Sequence, residues 1–305
     1  ISSSDWSSDV CSSDLPFGSF LSLEHVGNMF HILRSTESLA EPARIASTGT
    51  VFLFSDFPCS VCSPRSDVSY SPNPDYAIHV QELKRFEGYR EQTYNWMLQI
   101  CCECNLCLSV AFVGMNYFDR FLSSVVINRS KVELLSWACL FLASSVFSNQ
   151  SHMLSLRQIT VAIRDTYTSN DLLAMIYEVL SVLCFRLLPL SPYELGDELL
   201  CSHFELLLSY RTLVNHVCSK YQSIRFHPRS IAFVCVLLTW TFAYQEANWP
   251  APLRVCENVP YGDIQGIHQI VRELFPMMAS SCDIIESAIQ KRPSYRVSPT
   301  ARDRK

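Results

Sequence analysis

A chain of 305 residues with 49% apolar content can fill one large core or two ordinary ones, and only 8 glycines with 17% charged residues favour helices over strand-rich or loop-rich architecture. The net charge of −5 speaks against a nucleic-acid partner, because phosphate neutralisation needs clustered Lys and Arg, absent here outside the last residues. No run reaches the roughly 18 to 20 uncharged apolar residues of a membrane span, so no membrane partner is expected.

Ile1 to Leu15 is a Ser/Asp/Cys/Trp run without helical or strand period that resembles translated sequencing-adapter text, and it is set aside from the fold. Phe20 to Leu33 has the spacing of a short amphipathic helix. Residues 41–74 are rich in Ser and Pro, so residues 1–74 are read as a flexible N-terminal segment.

From residue 75 the texture changes to long helical periods. Ser130-Lys131-Val132-Glu133 has the form of a capping box, with Ser130 accepting from a free backbone amide and Glu133 reaching back. The LLSWACLFLASSVF run that follows is apolar on every face, as in a helix surrounded by others. Ser191-Pro192-Tyr193-Glu194 is a second capping box, with proline at the first helical position, and it opens a new unit at residue 190. In that unit Pro228 leads into IAFVCVLLTWTFAY, a second all-apolar helix. The predicted fold is therefore all-α, two helical bundles in tandem over residues 75–189 and 190–290, with a tail at 291–305.

The 14 cysteines are irregularly spaced and no secretory signal is apparent, so reduced, mostly buried thiols are expected. The cluster Cys101, Cys102, Cys104 and Cys107 does not suit zinc, because four ligands cannot converge tetrahedrally from one straight helix. Cys59-x-x-Cys62 lacks a second pair at zinc-finger spacing. His79, His152, His203, His216, His227 and His268 are scattered, with no phosphate loop or nucleophile elbow. The expectation is no enzyme, no metal, no cofactor and no small-molecule substrate. Ser63-Pro64, Ser71-Pro72 and Ser298-Pro299 have the form of proline-directed phosphorylation sites.

YREQTYNWMLQ followed by GMNYFDRFLSS resembles the opening of a cyclin box, retaining Arg90, Trp96, Asn116, Tyr117, Asp119, Arg120, Phe121 and Leu122. IRDTYTSNDLLAMIYEVLSVLCFRL, from Ile163 to Leu187, is similar to the fifth helix of that box. The resemblance implies two five-helix cyclin-fold bundles, residues 75–189 being the N-terminal cyclin box. It also implies a noncatalytic regulatory subunit of a cyclin-dependent-type protein kinase, in the nucleus or cytoplasm. The alternative is a cyclin-fold interaction scaffold that no longer activates a kinase.

Residue by residue, the resemblance implies an ion pair between Arg90 and Asp119 that fixes the fold. Its kinase-contact positions fall on Leu142, Ser145, Val146, Ile176, Leu180, Phe185 and Leu187. At two of them Ser145 and Ile176 stand where the family generally carries a lysine and a glutamate, which removes two charge-assisted contacts. A substrate-docking groove would be lined by Tyr89, Gln92, Thr93 and Trp96, with Glu133 nearby, and its polar residues predict weak docking of an Arg-x-Leu peptide.

Overall fold

A computed structural model describes residues 70–81, 86–147, 153–163, 166–251, 253–254 and 259–291. The helix expected over Phe20 to Leu33, the Cys59/Cys62 pair, His152, Ser63-Pro64 and Ser298-Pro299 lie outside the described residues. Among those residues the regular structure is helical: α1 (Tyr76–His79), α2 (Phe86–Glu103), α3 (Leu108–Leu122), α4 (Val132–Phe147), α5 (Leu156–Ile163), α6 (Ser169–Val182), α7 (Pro192–Leu199), α8 (Phe204–Ser219), α9 (Pro228–Tyr244), α10 (Tyr261–Leu274) and α11 (Ala279–Gln290). Helices α2 to α6 form one bundle around α4, and α7 to α11 form a second around α9.

The two central helices are those whose sequence is apolar on every face. In α4, Val132, Leu134 to Leu140 and Leu142 to Ser144 are buried, and Trp137 meets Trp96 of α2 edge-on at 4.8 Å. A core helix tolerates serine only if the hydroxyl is satisfied. Ser136 Oγ donates to the Val132 carbonyl at 2.8 Å and Ser144 Oγ to that of Phe141 at 2.8 Å. In α9, Thr239 Oγ1 donates to the Cys235 carbonyl at 2.8 Å in the same way. With the short 3₁₀ turn before it, α4 makes a continuous 19-residue run, Arg129–Phe147, long and apolar enough to cross a bilayer by length and composition alone. The run carries Arg129, Lys131 and Glu133, so it is not an uncharged one, and most of it is buried inside the bundle, as a core helix is.

The helix starts differ from the predicted capping boxes. The residue capping the approach to α4 is Asn128, whose side chain accepts from Ser130 N at 3.1 Å, and Ser130 itself lies inside the 3₁₀ turn. Ser191 does hold the N-cap position of α7, but its hydroxyl is drawn to Ser109 Oγ of the other bundle at 3.2 Å instead of an amide of its own helix. A complete capping box occurs at α6, where Thr168 Oγ1 accepts from Asp171 N and the Asp171 carboxylate accepts from Thr168 N at 2.8 Å. Pro228 opens α9 behind His227, whose Nδ1 accepts from Arg229 N at 3.2 Å.

The α7–α8 crossing is set by Gly196, since a Cβ there would fall 1.9 Å from the ring of Tyr210. Only a glycine leaves room for that buried ring, whose hydroxyl donates to the Pro192 carbonyl at 2.6 Å.

Candidate partner-binding face

Helices α2 and α3 place the Arg90 and Asp119 side chains opposite each other. Arg90 Nε lies 3.1 Å from both carboxylate oxygens and Nη2 lies 3.0 Å from Oδ2, a two-pronged pair with both side chains buried. Tyr76 of α1 donates its hydroxyl to Asp119 Oδ1 at 2.8 Å. Burial pushes the Asp119 carboxyl above its ordinary value, while the Arg90 guanidinium and the Tyr76 hydroxyl pull it back down. The remaining nitrogen, Nη1, donates to the Cys218, Ser219 and Lys220 carbonyls at 2.9, 3.0 and 3.1 Å. These are end-of-helix carbonyls of α8, so one arginine satisfies acceptors that no residue of that helix reaches. The hydroxyls of Tyr94 and Tyr193 meet at 2.9 Å, and Lys220 pairs with Glu91 at 2.8 Å, adding to the junction between bundles.

On the other side of the first bundle, α4 packs against α6, and the chain leaving α6 is held in an unusual conformation. Cys184 and Phe185 both have positive φ, 49° and 57°, a region that costs a residue with a side chain of this kind. Buried groups of α3 hold the turn: Arg120 Nη1 donates to the Arg186 carbonyl at 2.8 Å, and Tyr117 donates its hydroxyl to that of Leu187. The outcome is a phenylalanine, Phe185, left 70% exposed on a fixed loop. Leu173 and Tyr177, one turn apart on α6, are exposed as well, the latter at 71%.

Of the positions assigned to kinase contact, Ser145, Val146 and Phe185 are exposed and Leu180 and Leu187 are half-buried. Leu142 and Ile176 are both buried at 7% exposure and belong to the core, not the surface. The reason lies in the period of α6: Leu172, Met175, Ile176 and Val179 form its inward stripe, and an isoleucine there is drawn into the apolar interior. Ser145 turns its hydroxyl back to the Phe141 carbonyl at 2.9 Å.

The residues assigned to a docking groove also divide. Thr93 and Trp96 are wholly buried and Tyr89 nearly so, which makes them floor rather than lining; Gln92 and Glu133 are half-buried. The Arg129 guanidinium covers the Tyr89 ring at 5.7 Å. Burial alone pushes the Glu133 carboxyl up to about 7.

Among the described residues no group of three or more His, Cys, Asp or Glu side chains could hold a metal ion. Cys101 is buried in α2, Cys104 is half-buried past its end, and Cys102 and Cys107 are exposed. Sequence reasoning missed the roles of Tyr76, Arg120 and Tyr117. Their signal is a polar head on a side chain placed among residues that must be core.

Residues 62–188 match the family model "Cyclin, N-terminal domain". Over those residues the chain carries a cyclin box. It is 27% identical over 154 residues to cyclin-A1 of Carassius auratus, a match covering 50% of this chain and 35% of that protein. It is 26% identical over 171 residues to the G1/S-specific cyclin-D1 of Danio rerio, covering 56% and 54%. Cyclin-A1-4 of Oryza sativa subsp. japonica is 29% identical over 215 residues, covering 65% and 59%. The cyclin box thus lies in a chain that spans between about a third and three-fifths of the length of these relatives. A viral cyclin from herpesvirus saimiri aligns with a TM-score of 0.47 and 12% identity over 72% of this chain and 87% of the viral chain.

Proposed function

We propose that the chain is a noncatalytic regulatory subunit that binds a cyclin-dependent-type protein kinase through the face formed by the end of α4, the outer side of α6 and the loop after it. The observation that carries this reading is Phe185. An aromatic side chain held 70% exposed by a left-handed turn, itself tied to buried Arg120 and Tyr117, gains nothing for the isolated fold. It is pre-organised for a pocket on another protein, and preorganised aromatic anchors dominate protein interfaces. The match of residues 62–188 to the cyclin N-terminal domain supports a kinase as that protein, and the face would act by stabilising one of two kinase states through contacts made only in that state.

A second reading is a cyclin-fold scaffold that binds a partner without activating a kinase. The burial of Ile176 and the inward bond of Ser145 favour it, since neither position offers a charged group to a kinase. Affinity purification of the full chain from its native extract, with mass spectrometry and a histone-peptide kinase assay on the eluate, separates the two. Recovery of an active kinase with the parent chain and its loss with Phe185→Ala supports the regulatory reading; partners without kinase activity support the scaffold.

A further inference from the structure

The second bundle leaves an apolar groove open to solvent. It lies between the first half of α8, the last turns of α9 and the 3₁₀ turn Pro276–Met278 that leads into α11, and its volume is about 360 Å³. Leu206, Leu213 and Met278 are its buried floor, while Leu208, Phe242 and Met277 stand around it in water, Leu208 at 78% and Met277 at 70% exposure. Two threonines in the wall are already satisfied within their own helices. Thr212 Oγ1 donates to the Leu208 carbonyl at 2.9 Å, and Thr239 Oγ1 to that of Cys235. Among the described residues none of the lining side chains is charged. A space of this size and chemistry takes up apolar side chains, and large apolar residues gathered in water around a cleft mark a docking surface.

The chain also carries a segment with the complementary pattern. In FLSLEHVGNMFHIL, Phe20, Leu23, Val26, Phe30 and Leu33 recur at steps of three and four residues, so a helix would gather them on one face, with Glu24, His25 and Asn28 turned away. Such a helix is about 21 Å long. At that length a helix is marginal alone in water, and it is gained by burying the apolar face against something.

The connection between segment and groove is long enough. Tyr70 shares a cavity with Pro228 and Ile231 at the start of α9, and the groove begins about 12 Å further along that helix, at Thr239. The 36 residues from 34 to 69, following a random path, span on the order of 30 Å. A segment tethered in this way is present at roughly millimolar effective concentration, which favours it over a second copy or a separate protein arriving from dilute solution.

We propose that residues Phe20 to Leu33 fold back as an amphipathic helix onto this groove, with the Phe20, Leu23, Val26, Phe30 and Leu33 face over its buried floor. The docked segment covers Leu208, Phe242 and Met277 and completes the second bundle from within the chain. The groove shares no residue with the face proposed for a kinase, so its occupation does not rest on that reading.

The test sets the tethered segment against a free copy of itself. A fluorescein-labelled peptide of residues 18–35 is titrated by anisotropy against the full chain and against the full chain carrying Phe30→Asp, which disables the tethered copy. The peptide is expected to bind the Phe30→Asp chain at least tenfold tighter than the parent, whose groove is already filled, and a scrambled peptide is expected to bind neither. Adding Leu208→Asp to the Phe30→Asp chain is expected to abolish peptide binding without lowering the melting temperature, since that side chain lies in water. Equal binding to the parent and the Phe30→Asp chain, no binding to either, equal binding of the scrambled peptide, or binding that survives Leu208→Asp overturns the proposal. So does a dimer of the parent in sedimentation that Leu208→Asp dissociates, which would assign the groove to a second copy.

Discussion

Asp119 holds two nitrogens of Arg90 and leaves the third pointing into the other bundle, where it closes the end of α8. Replacing Arg90 by alanine leaves the buried Asp119 carboxylate without its counter-charge and takes a donor from three helix-end carbonyls, of which those of Cys218 and Lys220 keep Ser223 as a donor. Loss of one partner of a buried pair costs about 3 to 5 kcal/mol, so Arg90→Ala is expected to lower stability by at least that amount in urea denaturation. Arg90→Lys is expected to recover little, because an ammonium cannot serve a carboxylate and three carbonyls in two directions at once.

Glu133 gives stability a dependence on pH with a definite sign. Its carboxyl is raised from 4.5 to about 7 in the fold, so between those values the folded protein binds a proton that the unfolded chain releases. This contribution to stability is present in mildly acidic solution and disappears as the pH rises through about 7. Urea midpoints measured from pH 5 to pH 8 are expected to fall more steeply for the parent than for Glu133→Gln.

Phe185 separates binding from folding. A side chain with 70% of its surface in water contributes little to the core, and Phe185→Ala is expected to change stability by less than about 0.5 kcal/mol. As an interface anchor the same change is expected to cost about 2 kcal/mol or more in partner affinity, some thirtyfold in Kd, measurable by titration with the co-purified partner.

Gly196 tests the packing of the second bundle. Gly196→Ala places a methyl group 1.9 Å from a ring carbon of Tyr210, and overpacking of that order costs about 1 to 3 kcal/mol. A calorimetric scan is expected to show a lower Tm; a raised one would mean that the α7–α8 crossing relaxes freely.

The helices that could be read from the sequence were those with strong one-dimensional patterns. The all-apolar runs of α4 and α9 and the proline that opens each of α7 and α9 mark buried helices and helix starts without reference to the rest of the chain. The cap of α4 was misplaced, since Asn128 and Ser130 are both good cap residues and the tertiary position of the chain decides between them. Ser191 was placed correctly at the start of α7, but its hydroxyl partner Ser109 lies 82 residues away and no local rule finds it. At the candidate site, Val146 and Phe185, two of the positions the resemblance assigns to partner contact, lie exposed. It could not foresee that isoleucine at position 176 turns inward, because that follows from which stripe of α6 faces α4.

The double duty of Arg90 also bears on how the molecule comes apart. The boundary near residue 190 divides the sequence into two similar-sized bundles, yet a guanidinium anchored in one and bonded to three carbonyls of the other makes neither half's hydrogen bonding complete without its neighbour. A cut there would leave the first piece with a buried cation facing solvent and the second with an open helix end. The two bundles are accordingly one cooperative unit, expected to melt in a single transition, and the smallest part that keeps its shape is the pair.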